Sequence, residues 1–395
     1  MALTRVKKVS NASLAGSISA DKLAGSISAD KLNIGQIGGR RNIIINGAMQ
    51  VAQRATSATG LGDSDIYAVC DRWKLVKEAT TAGRLTMSQD SSAPSGFGNS
   101  LKLDCTTADT SIAAGEVLLL QQRIEGQNLQ AFAKGTSDAK EFSVSFYVKG
   151  NASATYVCEL HDQDNSRQCS KTFNVTTSWT RIELLFPADT TGAFDDDNAR
   201  SLNLNIALNA GSDYTSGTLN SSAFASNTNA NRYVGISSFF DSTDRTFFIT
   251  GVQLEVGSQA TPFEHRSYAE ELELCKRYFQ KFGGGANKTI AHVYAPSTSE
   301  LALLLRFAPE LRTSPSLDWS SDTTDLTYRY SGNNSQNFDR GDLNDDGTVG
   351  QVTPQGGSMW MHGWSHGQSS NDGGEIRVLA VSPEEFLFLQ FDAEL

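Results

Sequence analysis

Cysteine is scarce: there are five in 395 residues, an odd number and too few for a disulfide-stapled scaffold. Cys158 and Cys169 flank a turn at 162–165 in mirrored positions, so a hairpin could bring them opposite each other; free thiols are the expectation. Long apolar runs are missing. No window nears the ~18 apolar residues that a membrane span needs, which argues against membrane insertion. An apolar leader is missing too. Residues 1–8 (MALTRVKK) run into a polar repeat, so synthesis and first folding in a cytosol are expected. Positive charge is short, with 33 Lys and Arg against 44 Asp and Glu. A net charge of −11 argues against nucleic acid as the partner, because phosphate binding needs a basic face. Signatures of catalysis are absent as well: no G-x-S-x-G elbow, no H-E-x-x-H helix, no phosphate-binding loop and no dinucleotide fingerprint. Acids are plentiful, but nothing singles out a working pair, and 195–197 (DDD) reads as a loop. The long solenoid repeats expected of a glycan depolymerase are missing. No enzyme is expected and no catalytic residue is assigned.

What is present is a chain of alternations. Hydrophobic content is 39%, low for a globular protein, and Ser, Thr, Asn and Gly fill the difference. That mixture suits short strands joined by turns. Phe142, Val144, Phe146 and Val148 alternate with Ser143, Ser145 and Tyr147. Leu202, Leu204, Ile206 and Leu208 alternate with Asn203, Asn205 and Asn209. Phe248, Thr250, Val252, Leu254 and Val256 give a third run. Strict alternation puts one face in a core and leaves the other wet. Residues 42–263 are therefore expected to form a jelly-roll-like sandwich of two antiparallel sheets.

The two ends differ from this middle. Residues 1–41 hold seven Lys and Arg against two Asp, and contain the nonapeptide AGSISADKL twice, at 15–23 and 24–32. Leu14, Ile18, Leu23, Ile27 and Leu32 recur at spacings of four and five, which fit neither one helix face nor a strand. Such a segment is either a flexible linker or an extended repeat that buries its apolar residues by winding with further copies. Residues 283–395 hold six Lys and Arg against fifteen Asp and Glu, with strand signals at 289–294, 301–307, 326–330, 358–364, 376–381 and 386–391. They are enough for a small C-terminal sandwich or barrel, a β-knob. Trp360 and Trp364, with His362 and His366, sit there in a Gly-rich stretch and are candidates for stacking on the apolar faces of sugars; packing is the competing role. Asp342, Asn344, Asp346 and Thr348 follow the first half of a calcium loop, with Gly347 at the turn. Position twelve is Thr353 and no helix follows, so a solvated acidic turn competes with a partial Ca²⁺ site. No other cofactor is expected.

Between sandwich and knob lies the one convincing helix, in the junction 264–282. Ser267 with Glu270 makes a capping box, Glu271 and Glu273 add negative charge early, and Gly283 is placed to end it. Tyr268, Leu272, Cys275, Phe279 and Phe282 fall at 4-3-4-3 spacing, an a/d seam. Two heptads are too few to stand alone. The seam therefore docks on the chain's own β-domain or packs on copies of itself around an axis, as in a homotrimer.

Several stretches together resemble a known family. Residues 42–54 (NIIINGAMQVAQR), 71–73 (DRW), 250–263 (TGVQLEVGSQATPF) and 273–279 (ELCKRYF) look like the markers of phage tail-fibre-like virion proteins. Residues 301–315 (LALLLRFAPELRTSP) and 391–395 (FDAEL) look like the opening and last strand of that family's final domain. The resemblance implies a sandwich similar to carbohydrate-binding modules, then a helix, then a distal β-knob, usually in trimers; it carries over no catalytic residue. The expectation is a structural protein of the virion tail. It would be anchored by residues 1–41 to a tail or portal-region adaptor and bind host-surface polysaccharide through its distal domains. A head-decoration or tail-collar protein without a receptor role is the alternative, and a depolymerase the third.

Overall fold

The computed structural model describes residues 40–79, 81–284, 289–297, 300–319, 326–330, 335–338, 353–362, 373–378 and 387–395. The repeat segment 1–39 and the loop carrying Asp342, Asn344, Asp346 and Thr348 lie outside them, as do Trp364 and His366. The protein is mainly β. Up to residue 263 the described strands are β1 (Ser57–Leu61), β2 (Lys74–Glu78), β3 (Arg84–Asp90), β4 (Ser100–Thr107), β5 (Val117–Glu125), β6 (Phe142–Gly150), β7 (Ala154–Asp162), β8 (Arg167–Val175), β9 (Thr180–Phe186), β10 (Arg200–Ala210), β11 (Ala225–Ser226) and β12 (Thr246–Val256). A one-turn helix, α1 (Ser212–Thr215), follows β10.

These strands form two antiparallel six-stranded sheets. The order is β1-β3-β4-β12-β6-β9 in one, here the β6 sheet, and β11-β8-β7-β10-β5-β2 in the other, the β10 sheet. The chain crosses between them repeatedly, in a jelly-roll-like order. The alternating runs explain why they pack. Phe142, Val144, Phe146 and Val148 of β6 meet Leu202, Leu204, Ile206 and Leu208 of β10 in one buried cluster with Leu101, Leu103, Leu118 and Leu120. Each such side chain contributes about 1.5–3 kcal/mol on burial.

The third run breaks its pattern. Phe247 and Ile249 face the core, and so do Val252 and Leu254, whereas Phe248 faces out. The register of β12 on β6 shifts between Thr250 and Gln253, around Gly251 at φ 63°. This bulge adds one residue and reverses which parity points inward. Phe248 therefore does not share a face with Val252 and Leu254, as plain alternation predicts.

All five cysteines are free and buried. In the β7–β8 hairpin Cys158 lies opposite Lys171 and Cys169 opposite Leu160, so the two thiols are offset by two residues.

The junction differs from the expected seam. Helix α2 spans Tyr268–Lys276 and begins with the capping box of Ser267 and Glu270. It stops well short of Gly283. The chain turns at 277–278 and enters strand β13 (Phe279–Gly284). Arg277 donates to both oxygens of Glu125 at 2.9 and 2.8 Å, and Tyr278 donates its hydroxyl to the same carboxylate, so β5 captures the two residues that would have continued the helix. The 4-3-4-3 positions are thus split. Tyr268, 57% exposed, Leu272 and the fully buried Cys275 are helical; Phe279, 2% exposed, and Phe282 belong to a strand. Cys275 and Phe279 are covered by the chain's own sandwich side, so no continuous five-residue stripe remains for a partner.

Beyond α2, β13 pairs with β21 (Leu387–Asp392), which also pairs with β16 (Ser316–Trp319). A second, six-stranded sheet has the order β18-β17-β20-β14-β15-β19, made of β14 (Thr289–Ser297), β15 (Glu300–Arg306), β17 (Leu326–Tyr330), β18 (Ser335–Phe338), β19 (Gly356–His362) and β20 (Gly373–Val378). Each expected strand of the knob has a counterpart here within a few residues.

Candidate functional site

The stretches that carry the family resemblance converge on one place. Asn46, fully buried, is its centre. Its side-chain amide donates to Val51 O at 2.8 Å and Asp71 O at 3.0 Å, and its Oδ1 accepts from Val51 N. Its carbonyl accepts from the Trp73 indole, and its backbone N–H donates to Glu271 of α2. Asn42 bridges Ile44 N, Val252 O and Leu254 N, and Glu264 accepts from the backbone N–H groups of Arg41 and Asn42. Arg266 ties Ile44 O to Glu271. Asn46, Met49 and Arg72 sit at φ 57°, 55° and 71°, conformations that non-glycine residues keep only where their surroundings over-determine them. These motifs are a structural knot that fixes α2 and the chain after it on the sandwich. They contain no open donor set for chemistry.

A second polar network crosses the outer face of the β10 sheet, beneath the segment that carries Tyr214, Arg232 and Tyr233. The residues between the core-facing leucines point there. A chain of polar side chains crosses three strands at right angles. Arg123 of β5 donates to Gln121 at 2.6 Å, Gln121 to Asn205 of β10 at 2.8 Å, and Asn205 to Glu159 of β7 at 2.7 Å. Arg232 clamps Glu159 with two bonds of 2.8 and 2.7 Å, and the Tyr233 hydroxyl adds a third partner at 3.0 Å. Tyr214 stacks on Tyr233 with ring centres 6.0 Å apart. Asn203 and His161 form the neighbouring row. Asn203 is 3% exposed, and its Oδ1 has no hydrogen-bond partner among the described residues. Asn209 Oδ1 and Gln168 Nε2 on the same sheet are likewise without a partner among the described residues. The amides are held rigidly in a row by these bonds, with Gln121, Asn203 and Asn205 only 4%, 3% and 0% exposed.

The surroundings of this face set the charge of its two titratable side chains. Burial works against ionisation of Glu159, but the Arg232 guanidinium and the bonds it donates outweigh it, so the carboxyl stays below its ordinary range. Burial lowers the His161 pKa, which keeps the imidazole neutral near pH 7. Because the folded pKa of Glu159 is depressed, its contribution to stability is present above the ordinary carboxylate range and is lost as pH falls through the folded value. Glu159→Gln is expected to cost about 2 kcal/mol at pH 7. It should also make the decline of the thermal midpoint between pH 5 and pH 3 shallower than in the parent, which calorimetry across that range would read.

Of the aromatic set singled out from sequence, Trp360 and His362 lie on β19, in register with Ala302 and Glu300 of β15. Trp364, His366 and the 342–348 loop lie outside the described residues. Among the described residues no group of three metal-ligating side chains occurs, and no helix is long and apolar enough to cross a membrane. The polar row on the β10 sheet was missed. Its signal was the asparagines between the leucines at 202–209, which alternation marks as merely wet but which are buried at 3%, 0% and 1% exposure for Asn203, Asn205 and Asn209.

No family description matches the sequence, and no curated protein matches it. Among solved structures, the enzymatically active domain of a tailspike protein of bacteriophage CBA120 aligns at 13% identity and a TM-score of 0.29, over 54% of this chain and 21% of that one. The chain thus spans about a fifth of that tailspike's length. A family 11 carbohydrate-binding module from Clostridium thermocellum, in complex with a mixed-linked tetrasaccharide, aligns at 13% identity and a TM-score of 0.26, over 52% of this chain and 99% of that one. A xylan-binding domain from Paenibacillus barcinonensis aligns at 10% identity and a TM-score of 0.25, over 51% and 95% respectively.

Proposed function

We propose that the chain is a non-enzymatic structural protein of a virion tail, a homotrimeric tail-fibre-like adhesin that binds glycan on the host cell surface. Residues 1–41 are its attachment to a tail or portal-region adaptor, and the sandwich and distal sheets are its outward parts. It is made in the host cytoplasm and ends in the particle. The observation that carries the glycan reading is the ordered row of Gln121, Asn205 and Asn203 on the outer face of the β10 sheet, with the unpartnered Asn203 Oδ1 beside it. Three of the buried carboxylates are held in ion pairs: Glu159 by Arg232, Asp189 by Arg167, and Glu125 by Arg277, so these three are not free acids or bases. Three weak sites on one trimer would gain avidity without any strong single contact.

The test is retention on host cells or on immobilised host polysaccharide. Asn203→Ala and Gln121→Leu are each expected to weaken retention at least tenfold; Gln121→Leu also strands Asn205 Oδ1 and is expected to cost about 1–3 kcal/mol, so retention is compared well below the thermal midpoint of each variant. Unchanged retention in both variants would remove this face from the reading. Light scattering on the intact protein should give three times the mass of one chain; a monomer would favour a decoration or collar protein that finds its symmetry only on the particle.

A further inference from the structure

The bulge in β12 has put an aromatic side chain where a regular strand would not. On the outer face of the β6 sheet, opposite the glycan face, Phe248 stands in register with Lys102 of β4 on one side and Lys149 of β6 on the other. Trp179, just before β9, closes the row, with its ring edge-on to Phe248 at 6.1 Å. The Lys149 ammonium lies 4.5 Å from the Phe248 ring centre and 5.4 Å from that of Trp179, and donates to the Ser92 hydroxyl at 2.8 Å. Lys102 has its own carboxylate, Asp104, at 3.0 Å. Lys149 takes part in no ion pair among the described residues, in a chain whose net charge is −11. The next row continues the platform. Phe97 lies 5.3 Å from Tyr147, and both rings rest on Gly251, where a Cβ would come within 2.7 Å of one and 3.0 Å of the other. Phe248, Trp179, Tyr147 and Phe97 are all half-buried, so the rings are accessible.

Lys149, held between two aromatic faces with the Ser92 hydroxyl as its polar partner, has no counter-ion among the described residues. Rings that are fixed and partly exposed offer stacking to a flat apolar face. A sugar ring bearing a carboxylate supplies both at once: C–H groups for the rings and an anion for Lys149. We infer that this face is a second saccharide site, selective for acidic glycans, with Lys149 as the residue that reads the charge and Trp179 and Phe248 as the stacking surface. The site is separate from the β10-sheet face and does not depend on it.

The probe is a galacturonate tetrasaccharide compared with its methyl ester, which removes the charge and adds one methyl group per carboxyl, titrated into the full chain by calorimetry. The free acid is expected to bind at least tenfold more tightly than the ester at 50 mM salt, and that preference should fade at 500 mM as the charge is screened. Lys149→Gln, a half-buried and conservative change, should abolish the preference. Trp179→Ala should weaken acid and ester alike at least tenfold. Asn203→Ala, on the opposite face, should leave the acid-over-ester preference in place, whatever it does to binding on its own face. Equal binding of acid and ester, or a preference that survives Lys149→Gln, overturns the assignment. So does loss of the preference on Asn203→Ala, which would put the charge-reading site on the other sheet. A Trp179→Ala protein that changes mass in light scattering while binding the acid as before would make the face a subunit contact and overturn it too.

Discussion

Lys134→Met is expected to destabilise the sandwich by about 3–5 kcal/mol, the cost of removing one partner from a buried ion pair. The side chain has no exposure, and four oxygens surround its ammonium. Asp162 Oδ2 is at 2.6 Å and Asp189 Oδ2 at 3.2 Å, with the carbonyls of Thr191 and Gly192 at 2.8 and 2.6 Å. Lys134 lies in the loop between β5 and β6, and its partners come from the end of β7 and the β9–β10 loop, so one cation ties three segments together. Arg167 makes a second bidentate clamp on Asp189 at 2.8 and 3.0 Å. Burial resists ionisation of Asp189, and the bonds from Arg167 and from Thr191 N, with the Lys134 charge, overcome it, holding the carboxyl below its ordinary range. Methionine keeps the length of the stem but leaves Asp162 without a cation in a site with 0% side-chain exposure. Urea unfolding with an unchanged m-value would give the loss directly. A loss under 1 kcal/mol would mean that water enters and solvates the carboxylates, and that the lysine is not the tie between these loops.

Lys134 also marks a boundary of what a sequence can announce. The sandwich was legible, because period-two alternation at 142–148 and 202–208 is a local pattern, and burial of the apolar parity in both runs follows from it. Lys134 was not, because nothing around residue 134 indicates that two aspartates 28 and 55 positions away will surround it. The β12 run shows a subtler failure. Gly251 alone decides that Phe248 faces outward, and a glycine inside a strand pattern signals either a bulge or simple tolerance. The helix shows a third. Its start is local chemistry, so the Ser267–Glu270 box was legible. Its end is decided by Glu125, 152 residues earlier in the chain, which takes Arg277. The 4-3-4-3 spacing was a real periodicity that tertiary contacts overrode. The candidate glycan face was hidden for the same reason. Alternation separates inward from outward, but it does not distinguish an outward asparagine in water from one locked into a polar row.

The last residues of the chain should prove as important to the distal sheets as any core side chain. Glu394 is almost completely buried, at 4% side-chain exposure, and pairs with Arg72, at 1%. The Arg72 guanidinium lies flat on the Tyr278 ring, 3.4 Å from its centre, and donates to Arg123 O at 2.6 Å. Arg54 bonds Asp392 at 2.8 Å, Arg312 donates to the carbonyls of Ala393 and Glu394 at 2.8 and 2.9 Å, and Tyr67 donates to Leu395 O at 3.2 Å. The strand that carries these residues, β21, is the middle strand between β13 and β16. Removing its anchor therefore frees both neighbours. Glu394→Gln is expected to cost about 3–5 kcal/mol, since it strands a buried guanidinium, and Arg72→Met a similar amount. The double variant should cost less than the two together by about 2 kcal/mol, the coupling typical of a shared network. Hydrogen exchange would locate the damage. Amides of β13, β16 and β21 should exchange faster in Glu394→Gln while those of β6 and β10 keep their protection, because the sandwich core does not include them. Uniform loss of protection across both regions would instead mean that the chain unfolds as one cooperative unit. The Arg72–Glu394 pair is a buried link between the sandwich and the strand that organises the three-stranded distal sheet. Either outcome therefore bears on how firmly the two are held together.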